Sequence, residues 1–438
     1  MALRHATLFP GRFGACRLSS RRTALLKTKL SFHSSSEAKN NSSPFASLGI
    51  GKELIASLDE QGIHVPTQIQ NRGIPKILAG NNVFIGAETG SGKTLTFLLP
   101  IIELLTRQEK EGKIERSPNR PRCLILAPTR ELGEQICKVA KKLSHRAKFS
   151  CTEIVGGRSR KAEEDSLSVP RDIVVATLGR FMEHHSKKAI MLSELRHVVF
   201  DEADYLFSRL GFREETKKLV MNIERHVVLK DRKPQIIGTA ALKTLEVDSF
   251  FRYYCPSVSF VLSDKLHQLP LEKRVRSEPL YLKTAAEKRA ALEKLVKEIS
   301  KNEESKTIIF CNTVDSCRFV DHVLSGLNEK GECLPSACYH GEMPPKERRA
   351  SWIRFCEKDA GFLVCTDLGA RGLDIPSIGG IIMFDFPKTT TSYLHRVGRI
   401  RNEGVVYSLI THSSRKIAEI CLSAHVATIA TKKLIQVP

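Results

Sequence analysis

No apolar run in this 438-residue chain approaches the ~20 residues a membrane-spanning helix needs, so no membrane span is expected. Its twelve cysteines form no Cys-x-x-Cys pair. Cys333 and Cys338 lie five positions apart without a matching His or Cys pair, which excludes the usual zinc spacings. Several cysteines (Cys123, Cys311, Cys365) sit inside apolar strand-like runs, the pattern of reduced core residues in a reducing compartment. Acidic residues are absent from positions 1–36, the first being Glu37. That stretch holds seven basic residues: Arg4, Arg12, Arg17, Arg21, Arg22, Lys27 and Lys29. Arg-rich, Ser-rich and acid-poor is the composition of an organellar transit peptide, and a secretory signal would need a longer apolar segment. Residues 1–36 therefore read as an address to the mitochondrial matrix. The competing reading is a disordered basic arm that binds RNA.

Charge persists outside that stretch. The formal net charge is +21, and setting aside the seven basic residues of 1–36 leaves +14 for residues 37–438. Such a balance points to an anionic partner, nucleic acid first. With 41% hydrophobic residues, either half can bury a core, and the length suits two or three domains.

The rest of the chain is organised around Ala87-Glu88-Thr89-Gly90-Ser91-Gly92-Lys93-Thr94. An apolar run, Val83–Ile85, precedes it and a helix-like run, Leu95–Leu105, follows. Strand, Gly-rich turn and helix is the context a phosphate-binding loop requires. Backbone N–H groups of the turn and of the new helix converge on one anion. Lys93 would reach the outer phosphates of a nucleotide, and the Thr94 hydroxyl would ligate Mg²⁺.

In chain order, Ser34–Ser43 is a polar linker, with residues 37–44 separating the tag from the first domain, expected over 45–262. Pro66-Thr67 is a helix entry, and Gln70 carries an amide able to read an adenine edge or simply to sit on a capped helix. Strand candidates follow at Cys123–Ala127, Ile173–Ala176, Val198–Phe200, Gln235–Gly238 and Ser259–Leu262. Alternation with helix-like runs predicts a parallel sheet with ligands at the carboxyl ends of its strands. At one such end stands Asp201-Glu202-Ala203-Asp204. Asp201 is placed to hold Mg²⁺ and Glu202 to orient or deprotonate an attacking water. Three basic loops, Pro128-Thr129-Arg130, Gly156-Gly157-Arg158 and Thr177-Leu178-Gly179-Arg180, suit a phosphodiester backbone. Few aromatics accompany them, so base stacking is not the main mode expected.

A charged, proline-bearing stretch at 263–280 reads as an interdomain linker, and a second αβ series fills 281–438. Its strand candidates are Thr307–Cys311, Phe362–Cys365, Ile381–Phe384 and Val405–Ile410, without a phosphate loop. It carries Thr366-Asp367…Arg371…Asp374 and His395-Arg396-Val397-Gly398-Arg399. Arginines in a separate domain suggest fingers, Arg396 and Arg399, that complete a nucleotide site on closure.

These residues resemble the DEAD-box RNA helicases of superfamily 2 in the family's order, across roughly 45–410: Gln70 (Q motif), Ala87–Thr94 (I), Pro128–Leu132 (Ia), Gly156-Gly157, Thr177–Arg180 (Ib), Asp201–Asp204 (II), Ile309–Asn312 (IV), Thr366–Asp374 (V) and His395–Arg399 (VI). The resemblance implies an α/β fold of two tandem RecA-like domains, each a mostly parallel sheet flanked by helices, with ATP and Mg²⁺ bound between them. It implies that Phe45 and Gln70 read adenine and that Asp374 belongs to the nucleotide site. It assigns the RNA backbone to Pro128, Thr129, Arg130, Gly157, Arg158, Thr177, Arg180, Thr366 and Arg371. The implied activity is ATP-dependent unwinding or remodelling of structured RNA, mitochondrial ribosomal RNA being one candidate, with ribosome-assembly or other ribonucleoprotein proteins as partners.

Three departures accompany the resemblance. Leu178 stands where motif Ib has Pro. Motif III, Ser-Ala-Thr in the family, is Thr239-Ala240-Ala241 and lacks one hydroxyl. Motif VI is short over Ile400–Gly404, so that either Arg401 serves as the finger from a shifted loop or the finger is absent. The alternative function is therefore an ATP-dependent RNA clamp or assembly scaffold with little hydrolysis.

Overall fold

The computed structural model describes residues 43–88, 90–112, 116–157, 159–208, 213–230, 233–264, 275–301, 306–357, 359–370, 378–400 and 403–426. Seven strands of the first half form one sheet: β1 (Val83–Gly86), β2 (Cys123–Ala127), β3 (Cys151–Ile154), β4 (Ile173–Thr177), β5 (His197–Phe200), β6 (Gln235–Ala240) and β7 (Ser259–Leu262). Their order is β3-β4-β2-β5-β6-β1-β7, and every pairing is parallel. Runs such as Cys123-Leu124-Ile125-Leu126-Ala127 carry no polar alternation because both faces of the sheet are covered. Val83, Ile85, Cys123, Ile125 and Ala127 point into one apolar core, with Phe97, Leu98 and Ile101 of the helix Lys93–Lys110. Phe84, Leu124 and Leu126 point into the other, with Phe181, Phe200 and Phe251.

The second half forms a six-stranded sheet from β8 (Val275–Tyr281), β9 (Thr307–Cys311), β10 (Ser336–Tyr339), β11 (Phe362–Thr366), β12 (Gly380–Met383) and β13 (Gly404–Ile410). The order is β10-β11-β9-β12-β13-β8, again parallel throughout. Two further cores cover its faces.

Three of these strands, β3, β8 and β10, were not expected from sequence, and all three are edge strands. An edge strand is covered less completely, so its apolar run is short or interrupted. β8 corrects the expected linker: Val275–Tyr281 lies inside or beside 263–280, yet pairs with β13 from Val275↔Gly404 to Tyr281↔Ile410. Its Pro279 is tolerated because an edge strand leaves one side unpaired. The second sheet therefore begins at Val275, ahead of the expected 281.

The strand order sorts the loops. β5, β6 and β1 are neighbours, so the turns after Phe200, Ala240 and Gly86 meet at one place. The turns after β2, β3 and β4 gather toward the other edge. Eleven cysteines among the described residues are free thiols. No group of three or more His, Cys, Asp or Glu among the described residues could hold a metal by itself. No described helix is long and apolar enough to cross a membrane.

Candidate active site

The turn after β1 continues the sheet by one bond, Ala87 N–H to Ala240 O at 3.1 Å. Gly90 and Gly92 then take φ of +80° and +94°, the left-handed region that glycine enters without cost. At Gly92 a Cβ would also lie 2.5 Å from Gln70 Nε2. Gln70 is buried and works as a strut. Its Oε1 accepts from Thr67 N–H at 2.8 Å in a capping box, and its Nε2 donates to Gly92 O at 3.2 Å. Thr67 Oγ1 donates to Ser91 O at 2.9 Å, and Ser91 Oγ to Glu88 O at 2.7 Å. The Glu88 carboxylate accepts from Ser263 Oγ at 3.2 Å. Lys93 opens the following helix, and its Nζ donates to Ala87 O at 2.7 Å and Glu88 O at 2.8 Å. Burial pulls the ammonium below its ordinary pKa, and Asp201, Glu202, Asp204 and Glu88 oppose that pull. Thr94, one residue on, is half-buried.

Beside this turn, Asp201 follows β5 and is buried at 4% exposure. Desolvation raises its carboxyl to about 6, against an opposing hydrogen bond from Thr239 and the charge of Lys93. Thr239 Oγ1, on the adjacent β6, donates to Asp201 Oδ1. Glu202 has φ +48° and ψ 50°, a left-handed conformation rare outside glycine and concentrated at working sites. Asp204, on the short helix Ala203–Leu206, has a fully buried side chain, and its Oδ2 lies 2.7 Å from Nε2 of His395 in the second half.

His395 lies on the helix Thr390–Val397, started by the Thr389 side chain accepting from Ser392 N–H. Its neighbour Arg396 is 1% exposed. Arg396 Nε and Nη2 clasp the two Asp367 oxygens at 2.5 and 2.9 Å. Nη1 donates to Asp385 O at 2.5 Å, and Nη2 to Asn312 Oδ1 at 2.6 Å. Arg399 follows that helix, half-buried. A second bridge between the halves pairs Arg348 Nη2 with Glu131 Oε1 at 2.6 Å.

Toward the β3-β4-β2 edge, Pro128 ends the turn after β2, and Thr129 caps the helix Arg130–Leu143, accepting from Leu132 N–H at 3.2 Å. Arg130 Nε donates to Glu134 Oε1 at 2.8 Å, while its Nη1 is buried without a partner. A Cβ on Gly157 would lie 2.4 Å from that nitrogen, so the glycine lets the two turns touch. Thr177 stands at the start of the helix Leu178–Ser186. In the second half, Thr366 Oγ1 accepts from Gly369 N–H at 3.3 Å.

Residues 67–249 match the DEAD/DEAH box helicase family and residues 287–403 the helicase conserved C-terminal domain. The chain is 36% identical over 380 residues to DEAD-box ATP-dependent RNA helicase 39 of Arabidopsis thaliana, covering 85% of this chain and 60% of that protein. It is 31% identical over 363 residues to ATP-dependent RNA helicase HAS1 of Pyricularia oryzae, covering 83% and 58%. The chain belongs to the DEAD-box helicase family. It spans about three fifths of the length of these curated relatives. Its fold superposes on the DEAD-box helicase Mss116 bound to single-stranded RNA and UDP-BeF with a TM-score of 0.74, at 26% identity over 86% of this chain and 76% of that one. Saccharomyces cerevisiae Dbp5 gives 0.71 at 20% identity over 90% and 98%, a likeness of fold. The two sheets are thus tandem RecA-like domains.

Within this DEAD-box frame, motifs I and II and Gln70 converge at the β5-β6-β1 ends. Motifs Ia, Ib and Gly156-Gly157 gather at the other edge. Three expectations are corrected. Phe45 is fully buried in the first core and presents no ring face to a base. Arg396 is not a finger, because its guanidinium is consumed by Asp367, Asp385 and Asn312. Thr177–Arg180 is not a free loop: the helix starts at Leu178, and Arg180 is bonded to Glu163 and Glu183. Thr89, Arg158, Arg371, Asp374 and Arg401 lie outside the described residues. Sequence reasoning named Asp367 and Asn312 within their motifs but not as partners of Arg396, and missed Asp385, Arg348 and Glu163, since single polar residues at strand ends and on helices carry no pattern that pairs them. The Asp204–His395 bridge joins motifs already in view, but no spacing rule links positions so far apart.

Proposed function

We propose that this chain is an ATP-dependent RNA helicase that binds RNA through its backbone and locally unwinds or remodels it. The Asp204–His395 contact carries the reading. It links the acidic motif beside the phosphate loop to the second domain, so that nucleotide state can govern domain closure. In this scheme the N–H groups of residues 90–94 and the Lys93 ammonium hold the ATP phosphates. Gln70 braces the loop from the adenine side. Thr94 and Asp201 offer hard oxygen donors that would hold Mg²⁺ together with water and phosphate ligands. That ion would neutralise developing charge on the transferred phosphoryl group. Glu202 orients the attacking water, and Arg399 faces the phosphates from the second domain. RNA lies across Pro128–Arg130, Gly157, Thr177 and Thr366, phosphate by phosphate, which predicts weak sequence preference and strong salt dependence. The similarity to Mss116, whose structure holds single-stranded RNA, supports that placement. ATPase assays with structured RNA test the proposal; turnover indifferent to RNA would remove it.

A second reading has its own support. Ala241 supplies no motif III hydroxyl, and only three residues separate buried Ile400 from β13 at Gly404. An arginine finger is worth about 10³-fold or more, so its loss would leave an ATP-dependent RNA clamp. Tight RNA binding with ATP but without turnover marks that case. We also propose that residues 1–36 direct the chain to the mitochondrial matrix, on their composition. A fluorescent fusion of the intact chain that stays outside mitochondria would refute it.

A further inference from the structure

Glu163 belongs to none of the motifs, yet it is a carboxylate buried to 2% exposure on the helix Arg160–Leu167. Its Oε1 accepts from Val155 N–H at 3.2 Å. Its Oε2 takes Arg180 Nε at 2.7 Å and His184 Nε2 at 2.8 Å. Val155 immediately precedes the Gly156-Gly157 turn, and Arg180 lies in the first turn of the helix behind Thr177. One buried carboxylate thus ties together two of the three turns at this edge. The third is held to the same group by contact, Gly157 packing against Arg130. A buried charge removed from water persists only when hydrogen bonds replace its hydration, and such charge-assisted bonds fix geometry. Arg180 itself is neutralised by Glu163 and by Glu183, whose Oε2 takes Nη1 at 2.8 Å.

We propose that Glu163 is a positioning residue for RNA binding, setting the Gly156-Gly157 turn and the Thr177 turn at the spacing of a phosphodiester chain, with Arg180 acting as its strut. The proposal rests on the RNA-binding reading of these turns. It differs from that reading in assigning the geometry to a side chain that touches no RNA. An amide at this position presents N–H to one of three donors, so Glu163→Gln leaves at least one bond unmade.

The test measures binding of a fluorescein-labelled oligouridine to the full chain in the presence of a non-hydrolysable ATP analogue, by anisotropy, alongside affinity for a fluorescent ATP analogue without RNA. Wild type that fails to bind the oligouridine removes the RNA reading itself. Given wild-type binding, Glu163→Gln is expected to weaken RNA roughly tenfold while nucleotide affinity stays within about twofold. The double variant Glu163→Gln/Arg180→Met should be no weaker than the poorer single variant, because both act through one bond network. Unchanged RNA affinity overturns the proposal. So does parallel loss of RNA and nucleotide binding, which marks a merely structural residue. If Glu163→Gln does not fold, Glu163→Asp keeps the charge but is too short to span all three donors, and the same split between RNA and nucleotide decides.

Discussion

His395 Nε2 lies 2.7 Å from Asp204 Oδ2, the Asp204 side chain fully buried and the His395 side chain nearly so, and the two residues stand on helices of different halves of the chain. A largely buried bond between domains beside the phosphate loop gives the second domain a direct grip on the acidic motif. His395→Ala removes that grip and leaves Lys93, Asp201 and Gln70 in place. RNA-stimulated turnover should fall roughly tenfold or more, the size of a typical coupling energy, while ATP affinity without RNA changes little. Steady-state ATPase titrations against RNA check this; equal stimulation in the variant would show that the contact carries no coupling.

Asp201 predicts a pH dependence. Its folded-state value, about 6, lies above the ordinary 3.8 because burial disfavours the carboxylate. The fold therefore holds this proton more tightly than the unfolded chain does, so Asp201's contribution to stability is present below about pH 4 and lost as pH rises to about 6. Metal binding runs the other way, since Mg²⁺ must displace the proton. Mg²⁺-dependent ATP affinity should weaken by about tenfold between pH 7 and pH 5. Titration of a fluorescent ATP analogue at fixed Mg²⁺ measures it. Thr239→Ala, which removes the opposing hydrogen bond, should shift the fall to higher pH.

Gly92→Ala meets two obstacles, a φ of +94° and the Gln70 amide 2.5 Å away. The backbone strain alone costs roughly 1–2 kcal/mol. The displaced amide also releases the Gln70 brace between the Q motif and the loop. Nucleotide binding should be lost with only a modest fall in melting temperature, read by calorimetry on the full chain.

Arg396→Ala should act as a folding lesion. It strips the partner from Asp367 and from Asn312 Oδ1 inside the second domain, a loss on the order of 3 kcal/mol. Thermal unfolding should shift down by several degrees. A normal melting curve with abolished hydrolysis would restore Arg396 to the phosphates.

Central features were legible because they follow periodicity or local chemistry. The phosphate loop sits in a strand–turn–helix context, and eight of the nine strand candidates fall on interior strands whose cover leaves apolar runs; the ninth, β7, is an edge strand whose run Phe260-Val261-Leu262 still stands out. Edge strands β3, β8 and β10 escaped because partial cover relaxes that demand, and Pro279 in β8 mimicked a linker. The residues that hold the site failed to register for a different reason. Arg396 and Arg399 are chemically alike in sequence, and only the fold shows that Asp367, Asp385 and Asn312 enclose the first. Phe45 reads the same as an adenine platform or as core, and its complete burial decides for core. Glu163 lies in a polar helix whose sequence gives no hint that it turns inward to Val155 and Arg180.

The most direct measurement is ATP hydrolysis by the full chain with and without structured RNA, beside Glu202→Gln. Turnover that rises with RNA and disappears in Glu202→Gln is the expected result. It would establish catalysis in spite of the short segment after Ile400. Tight ATP-dependent RNA binding with turnover no higher than that of Glu202→Gln would contradict the helicase and leave the clamp.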